Sequence, residues 1–163
     1  MADTYIENLL KEKRLFQPPK NENAAISSLD EYKKIYERSI KDPEGFWAER
    51  ADELLDWNKK WDKVLDYDFD KPEIKWFLGG KLNAAYQCLD RHLTDGRRNK
   101  AAIIWQGEKD EDVKVYTYDM LHREVCRFAN VLKAQGVKKG DRVSIYLPMI
   151  PELTIAMLAC ARL

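Results

Sequence analysis

Hydrophobic and polar positions follow several different rhythms along this chain, and the rhythm changes near residue 100. Residues 4–15 put Ile6, Leu9 and Leu10 on one side, which predicts a short amphipathic helix. Pro18 and Pro19 in QPPKNENAA cannot continue it, so a linker is expected there. SSLDEYKKIYERSIKD predicts a helix with the stripe Leu29, Tyr32, Tyr36 and Ile40, and Ser28 and Glu31 have the spacing of a capping box. DPEGFWAERADELLDW restarts a helix, with Asp42 as N-cap, Pro43 as first helical residue, and Phe46, Trp47, Ala51, Leu54 and Leu55 expected to face inward. The stretch from Trp57 to Gly80 reads as irregular or short-stranded, and a further helix is expected from about Asn83.

From residue 101 the pattern is that of strands alternating with helices. AAIIWQG and VKVYTY flank the charged turn EKDED, so residues 101–117 predict a hairpin. The next helix is the clearest in the sequence. Thr117 can cap it, Leu121, Val125, Phe128 and Leu132 recur at helical spacing, and Gly136 supplies a left-handed stop. RVSIYL alternates as a strand over 142–147. The helix 151–163 is apolar on almost every side, broken only by Glu152, Thr154 and Arg162, and so asks for neighbours all round. Helix, tight loop, strand, helix is the grammar of an α/β fold, usually with a parallel sheet.

Composition narrows the function classes. A chain of 163 residues usually makes one domain, and 45% hydrophobic with 34% charged residues is an ordinary globular balance. Lys plus Arg and Asp plus Glu are each 28, so no charge excess favours a nucleic acid partner. The N-terminus lacks a signal-peptide pattern and no apolar run is long enough to span a bilayer, so no membrane role is expected and the cytoplasm is the expected compartment. Cys88, Cys126 and Cys160 are odd in number and far apart, which predicts neither a disulfide framework nor a metal site.

Four groups of residues could carry chemistry. Asp90, Arg91 and His92 combine a carboxylate, a guanidinium and an imidazole, but consecutive helical residues point apart, so the triplet is expected to be a helix end. Gly79 and Gly80 precede a helix, yet no phosphate-loop pattern surrounds them, which favours a sharp turn. Gly136 and Gly140 frame Lys138 and Lys139, again as a turn with a solvated tip. Trp47, Trp57, Trp61 and Trp76 could stack on a ligand, but are expected to form one aromatic mini-core. Nothing has the spacing of a nucleophile elbow or a metal cluster.

Taken together, DPEGFWAERADELLDWNKKWDKVLD, KWFLGGKLNAAYQCLDRHL, AAIIWQGE and YTYDMLHREVCRFANVLKAQGVKKGDRVSIYLPMIPELTIAMLACARL resemble the N-terminal part of AMP-forming acetyl-CoA synthetases. GVKKGDRV alone marks only the wider acyl-adenylate-forming superfamily; WFLGGKLN with CLDRHL is more specific. The resemblance runs from about Leu29 to Leu163, with Gln87 where the family more commonly has Asn. It implies an arm and linker over 1–27, a helical region over 28–93, and over 94–163 the beginning of a large layered α/β AMP-binding domain, truncated. It also implies a parent ligase in which ATP adenylates acetate, pyrophosphate leaves, and the thiol of CoA displaces AMP. A propionyl- or other short-chain acyl-CoA synthetase is the near alternative, and a free-standing interaction domain the distant one. The family's phosphate loop, carboxylate-pocket Trp, ribose-binding Asp and catalytic Lys have no counterpart here. No catalytic, cofactor-binding or metal residue is therefore carried over, and ATP, Mg2+ and CoA are expected to bind the parent and not this chain alone. The remainder of the parent chain is the expected partner. His92 is expected to be structural.

Overall fold

The computed structural model describes residues 15–16 and 23–163. The linker prolines lie outside the described residues, as does the helix expected over 4–15 apart from Leu15, which is irregular and exposed. The chain divides into two compact units, Met1–Pro43 and Glu44–Leu163.

In the first unit, α1 spans Leu29–Lys41. Ser28 caps it as expected, its hydroxyl accepting from the Glu31 N–H at 3.2 Å. The return arm differs from a capping box: the Glu31 carboxylate accepts from the backbone N–H and hydroxyl of Ser27, at 2.8 and 2.7 Å. Those bonds hold the Glu31 pKa below its ordinary value. Leu29, Tyr32, Tyr36 and Ile40 are all exposed, with Tyr32 and Tyr36 stacked on each other.

Helix α2, Pro43–Leu54, opens on Pro43, whose missing N–H costs nothing at a first helical position. Asp42 ends α1, donating its N–H to the Arg38 carbonyl at 2.9 Å. Of the residues expected to face inward, Ala51 is buried and Phe46 and Leu55 half-buried, while Trp47 and Leu54 remain exposed. Next come β1, Lys63–Asp68, and β2, Glu73–Leu78, an antiparallel hairpin pairing Leu65 with Trp76 and Tyr67 with Ile74. Its ladder skips Phe77, whose φ of 51° is unusual for a bulky residue. Asn83 then caps α3, Ala84–Cys88, which runs through Leu89 into a 3-10 turn, Asp90–Leu93.

The hairpin expected over 101–117 is present as β3, Ala101–Gln106, against β4, Val113–Thr117, with a bulge near its start. Thr117 caps α4, Tyr118–Ala134, accepting from the Met120 N–H at 3.2 Å. Gly136, at φ 87°, ends α4 in a Schellman motif, with Val137 N–H on the Leu132 carbonyl and Gly136 N–H on that of Lys133, both at 3.0 Å. Helix α5, Pro151–Arg162, packs on α4 and α3. The aliphatic core lies between them: Leu89, Leu121, Val125, Ala129, Leu132, Ile155 and Ala159. Ala129 holds the place expected of Phe128, which stays at the margin. The α/β class stands, but two expectations need correction. Residues 142–147 form no strand, because no neighbouring chain supplies hydrogen bonds, and the described strands pair only as antiparallel hairpins. Helix α5 has neighbours on one side; Met157 on the other is 57% exposed.

Candidate functional site

The 3-10 turn sends the consecutive residues Asp90, Arg91 and His92 to three different places, as a turn of about three residues must. Arg91 reaches back to the Leu54 carbonyl at 2.7 Å and to the Gln87 side chain at 3.1 Å. Gln87 itself brackets the backbone of Asp56, donating to its carbonyl at 2.5 Å and accepting from its N–H at 3.1 Å. The His92 ring lies tilted against that of Tyr118, with centroids 4.8 Å apart, and its Nδ1 lies 2.8 Å from Asp95 Oδ2, a partner three residues on that local helical spacing did not point to.

Asp90 points the other way, into a partly buried cluster built from α4, α5 and the turn. Its carboxylate accepts two bonds from Arg162, at 2.7 and 2.8 Å, and His122 Nε2 lies 3.2 Å away. The Arg162 hydrogen bond, helped by its charge and by His122, outweighs burial and holds the Asp90 pKa below the usual carboxylate range. The same bond pushes Arg162 further up. Cys126 Sγ is 3.6 Å from His122 Nε2, and Arg162 Nη2 is 3.4 Å from that atom.

This looks like a Cys–His–Asp arrangement, but the geometry denies it that chemistry. A relay needs the carboxylate on one ring nitrogen and the nucleophile on the other. Here Asp90, Arg162 and Cys126 all converge on Nε2. The guanidinium also stands where a cation would sit, and among the described residues no three His, Cys, Asp or Glu side chains form a metal site. A cleft of about 290 Å³ opens beside the pair, lined by Asn58, Asn83, Tyr86, Asp90 and Arg162. With its fork filled by Asp90, Arg162 ties the end of α5 to the turn. The sequence carried one signal for it: a lone charge in the last turn of an apolar helix must find a partner.

The other groups lie in turns and ring contacts. A Cβ on Gly79, at φ 77°, would fall 2.1 Å from Asp62 Oδ2, and one on Gly80 would fall 2.7 Å from the Trp57 ring. The glycines serve close packing at a turn closed by Gly80 N–H on the Phe77 carbonyl at 3.0 Å. The tryptophans form the expected aromatic cluster, with Phe77 as an unforeseen hub: ring centroids of Trp57, Trp61 and Trp76 lie 5.5, 5.1 and 5.9 Å from it, and Trp47 lies 6.4 Å from Trp76. Lys138 and Lys139 are exposed on a turn that the Asp141 carboxylate closes by accepting the Lys138 N–H at 2.7 Å. The three cysteines are free thiols.

Comparison with known proteins places these features. Residues 32–88 match the family described as acetyl-coenzyme A synthetase N-terminus, and residues 89–163 match AMP-binding enzyme. The second match sets the class, an enzyme segment of the AMP-binding type. An acetyl-coenzyme A synthetase of Leptospira biflexa (serovar Patoc, strain Patoc 1 / Ames) is 58% identical over 147 residues, which are 89% of this chain and 22% of the relative. One from Alkalilimnicola ehrlichii is 58% identical over 134 residues, 82% of this chain and 21% of the relative. One from Chlorobaculum tepidum is 49% identical over 159 residues, 96% of this chain and 24% of the relative. The chain belongs to the acetyl-coenzyme A synthetase family and corresponds to its N-terminal part. It spans about a fifth of the length of these relatives. The two family regions meet between Cys88 and Leu89 inside one continuous turn of chain, and Leu89 is wholly buried in the α4–α5 core.

Proposed function

We propose that this chain is the opening portion of an acetate–CoA ligase, in which ATP converts acetate to an acetyl-adenylate with loss of pyrophosphate and the thiol of CoA then displaces AMP. The observation that carries this reading is the 58% identity to an acetyl-coenzyme A synthetase over 147 residues, running through both family regions. Within it we assign an arm and linker to 1–27, a helical region to 28–93 and the start of the AMP-binding domain to 94–163. Acetate, ATP with its Mg2+, and CoA are substrates of the complete enzyme. Among the described residues no three His, Cys, Asp or Glu side chains are grouped to hold a metal ion, and the reading assigns no step of the reaction to the side chains of this chain. No described helix is long and apolar enough to cross a membrane, and the three free thiols suit a reducing compartment, the cytoplasm. The test is acetate-dependent exchange of pyrophosphate into ATP. A complete polypeptide carrying these residues is expected to show exchange, with acetate preferred over propionate and butyrate, and the 163-residue chain alone none. Exchange by the pure 163-residue chain, or none by the complete polypeptide, overturns the reading.

A further inference from the structure

Cys126 stands apart from the other two cysteines. Cys88 is exposed and Cys160 packs against the aliphatic core, and among the described residues neither is paired with a ring nitrogen or a guanidinium. Cys126 is partly exposed on α4, one turn after His122, with its Sγ 3.6 Å from His122 Nε2. That nitrogen lies 3.2 Å from Asp90 Oδ1 and 3.4 Å from Arg162 Nη2, and the Asp90 carboxylate accepts from Arg162 at 2.7 and 2.8 Å. Convergence on one nitrogen excludes a relay, but it leaves a simple thiol–imidazole pair. When the Cys126 proton passes to Nε2, the four groups alternate in sign as thiolate, imidazolium, carboxylate and guanidinium. Each charge then has an opposite neighbour, and the net charge of the cluster is unchanged. Partly exposed thiols beside Arg and protonated His are the ones that act as nucleophiles. The guanidinium also has a second resting place, because the cleft of about 290 Å³ beside the pair is lined by the polar side chains of Asn58 and Asn83.

We propose that Cys126 is a site of reversible exchange with small disulfides such as glutathione disulfide, and that the mixed disulfide releases Arg162 from Asp90. The Cys126 thiolate attacks one sulfur of the disulfide. A new S–S bond forms, the old one breaks, and the departing thiolate collects the proton held on His122. Cys126 is oxidised to the disulfide level and the departing sulfur is reduced to a thiol, so the exchange needs no further oxidant. The attached group competes with Arg162 for the space beside His122. A free thiol restores the tie by the same exchange in reverse.

The test is the rate at which each cysteine of the native 163-residue chain takes up glutathione from glutathione disulfide at pH 7, read by peptide mass spectrometry. Cys126 should react about tenfold faster than Cys88 although Cys88 is more exposed, a modest share of what a positioned proton acceptor can supply. His122→Asn should remove that advantage and leave the Cys88 and Cys160 rates unchanged. The release of Arg162 is read in a chain carrying Cys88→Ser and Cys160→Ala. Glutathionylation of Cys126 should lower its urea midpoint as far as Asp90→Asn does, and should lower it little further once Asp90→Asn is present. Rates ordered by exposure alone, or a His122→Asn chain that reacts as before, overturn the reactive site. An equal fall in midpoint with and without Asp90 overturns the release, because the attached bulk would then act without the ion pair.

Discussion

The aromatic hairpin and the α4–α5 core are two solutions to one packing problem. Around Phe77, five-to-six-ångström ring contacts with Trp57, Trp61 and Trp76 hold the hairpin together, but none of these side chains is fully buried. Around Leu89 the side chains are small and aliphatic, and Leu89, Val125 and Ala159 are wholly buried. The aromatic region gains its stability from large flat faces set by a few exact backbone positions; the aliphatic region gains it from excluded water and a charge pair at its margin. The first should therefore be sensitive to backbone conformation, and the second to lost volume and lost charge.

The largest expected effect tests the second half of that contrast. Leu89→Ala should cost about 2–5 kcal/mol of stability in urea unfolding, because a fully buried leucine leaves a cavity as well as losing its own burial. A loss under about 1 kcal/mol, the size of an ordinary substitution, would show that the core collapses around the gap. Asp90→Asn comes next, at about 1.5–3 kcal/mol, the range for hydrogen bonds to charged groups. Its signature is the pH profile. The folded Asp90 pKa is depressed, so the pair's contribution is complete above the unfolded carboxylate pKa, near about 4, and is lost as pH falls through the lower folded value. The Asn variant should lack that acid limb; an unchanged limb would remove Arg162 from the account.

Gly80→Ala tests the hairpin. The added methyl would meet the Trp57 ring at 2.7 Å and the Phe77 carbonyl at 3.0 Å, so overpacking should cost about 1–3 kcal/mol. Near-UV circular dichroism should show the ring contacts loosening; an unchanged spectrum would mean that the aromatic cluster tolerates displacement. The smallest effect belongs to His92→Ala, which removes the tilted ring contact with Tyr118 and the Asp95 contact and should lower Tm by about 2–4 °C. In a complete enzyme its turnover should stay close to normal. A turnover loss of about a thousandfold with Tm intact would make His92 catalytic.

Much of the helix framework was legible because its signals are local. Ser28, Thr117 and Gly136 act within a few residues of themselves, and so do the 101–117 hairpin and the Pro43 start. What sequence spacing could not reach are relations across distance. Asp90 and Arg162 are 72 positions apart, and nothing near Asp90 announces its partner. Helical spacing allowed Phe128 at the core, but small residues such as Ala159 draw α5 close to α4 and leave room for Ala129 instead. The alternation of 142–147 predicted a strand that is not formed; a strand is also a statement about a hydrogen-bonding neighbour, which alternation does not contain.

The placement of the indoles has a practical corollary. Of the five tryptophans, Trp47, Trp57, Trp61 and Trp76 belong to the hairpin cluster and Trp105 lies on β3, so none sits within the aliphatic core. Intrinsic emission therefore reports mainly on the first half of the chain, whereas far-ultraviolet ellipticity reports on helices in both halves, α1 and α2 with 13 and 12 residues and α4 and α5 with 17 and 12. One optical signal therefore follows the aromatic hairpin and the other the whole helical framework. Coincident midpoints would mean that the regions melt as one cooperative body, and a fluorescence midpoint that precedes the ellipticity midpoint would mean that the aromatic hairpin lets go first.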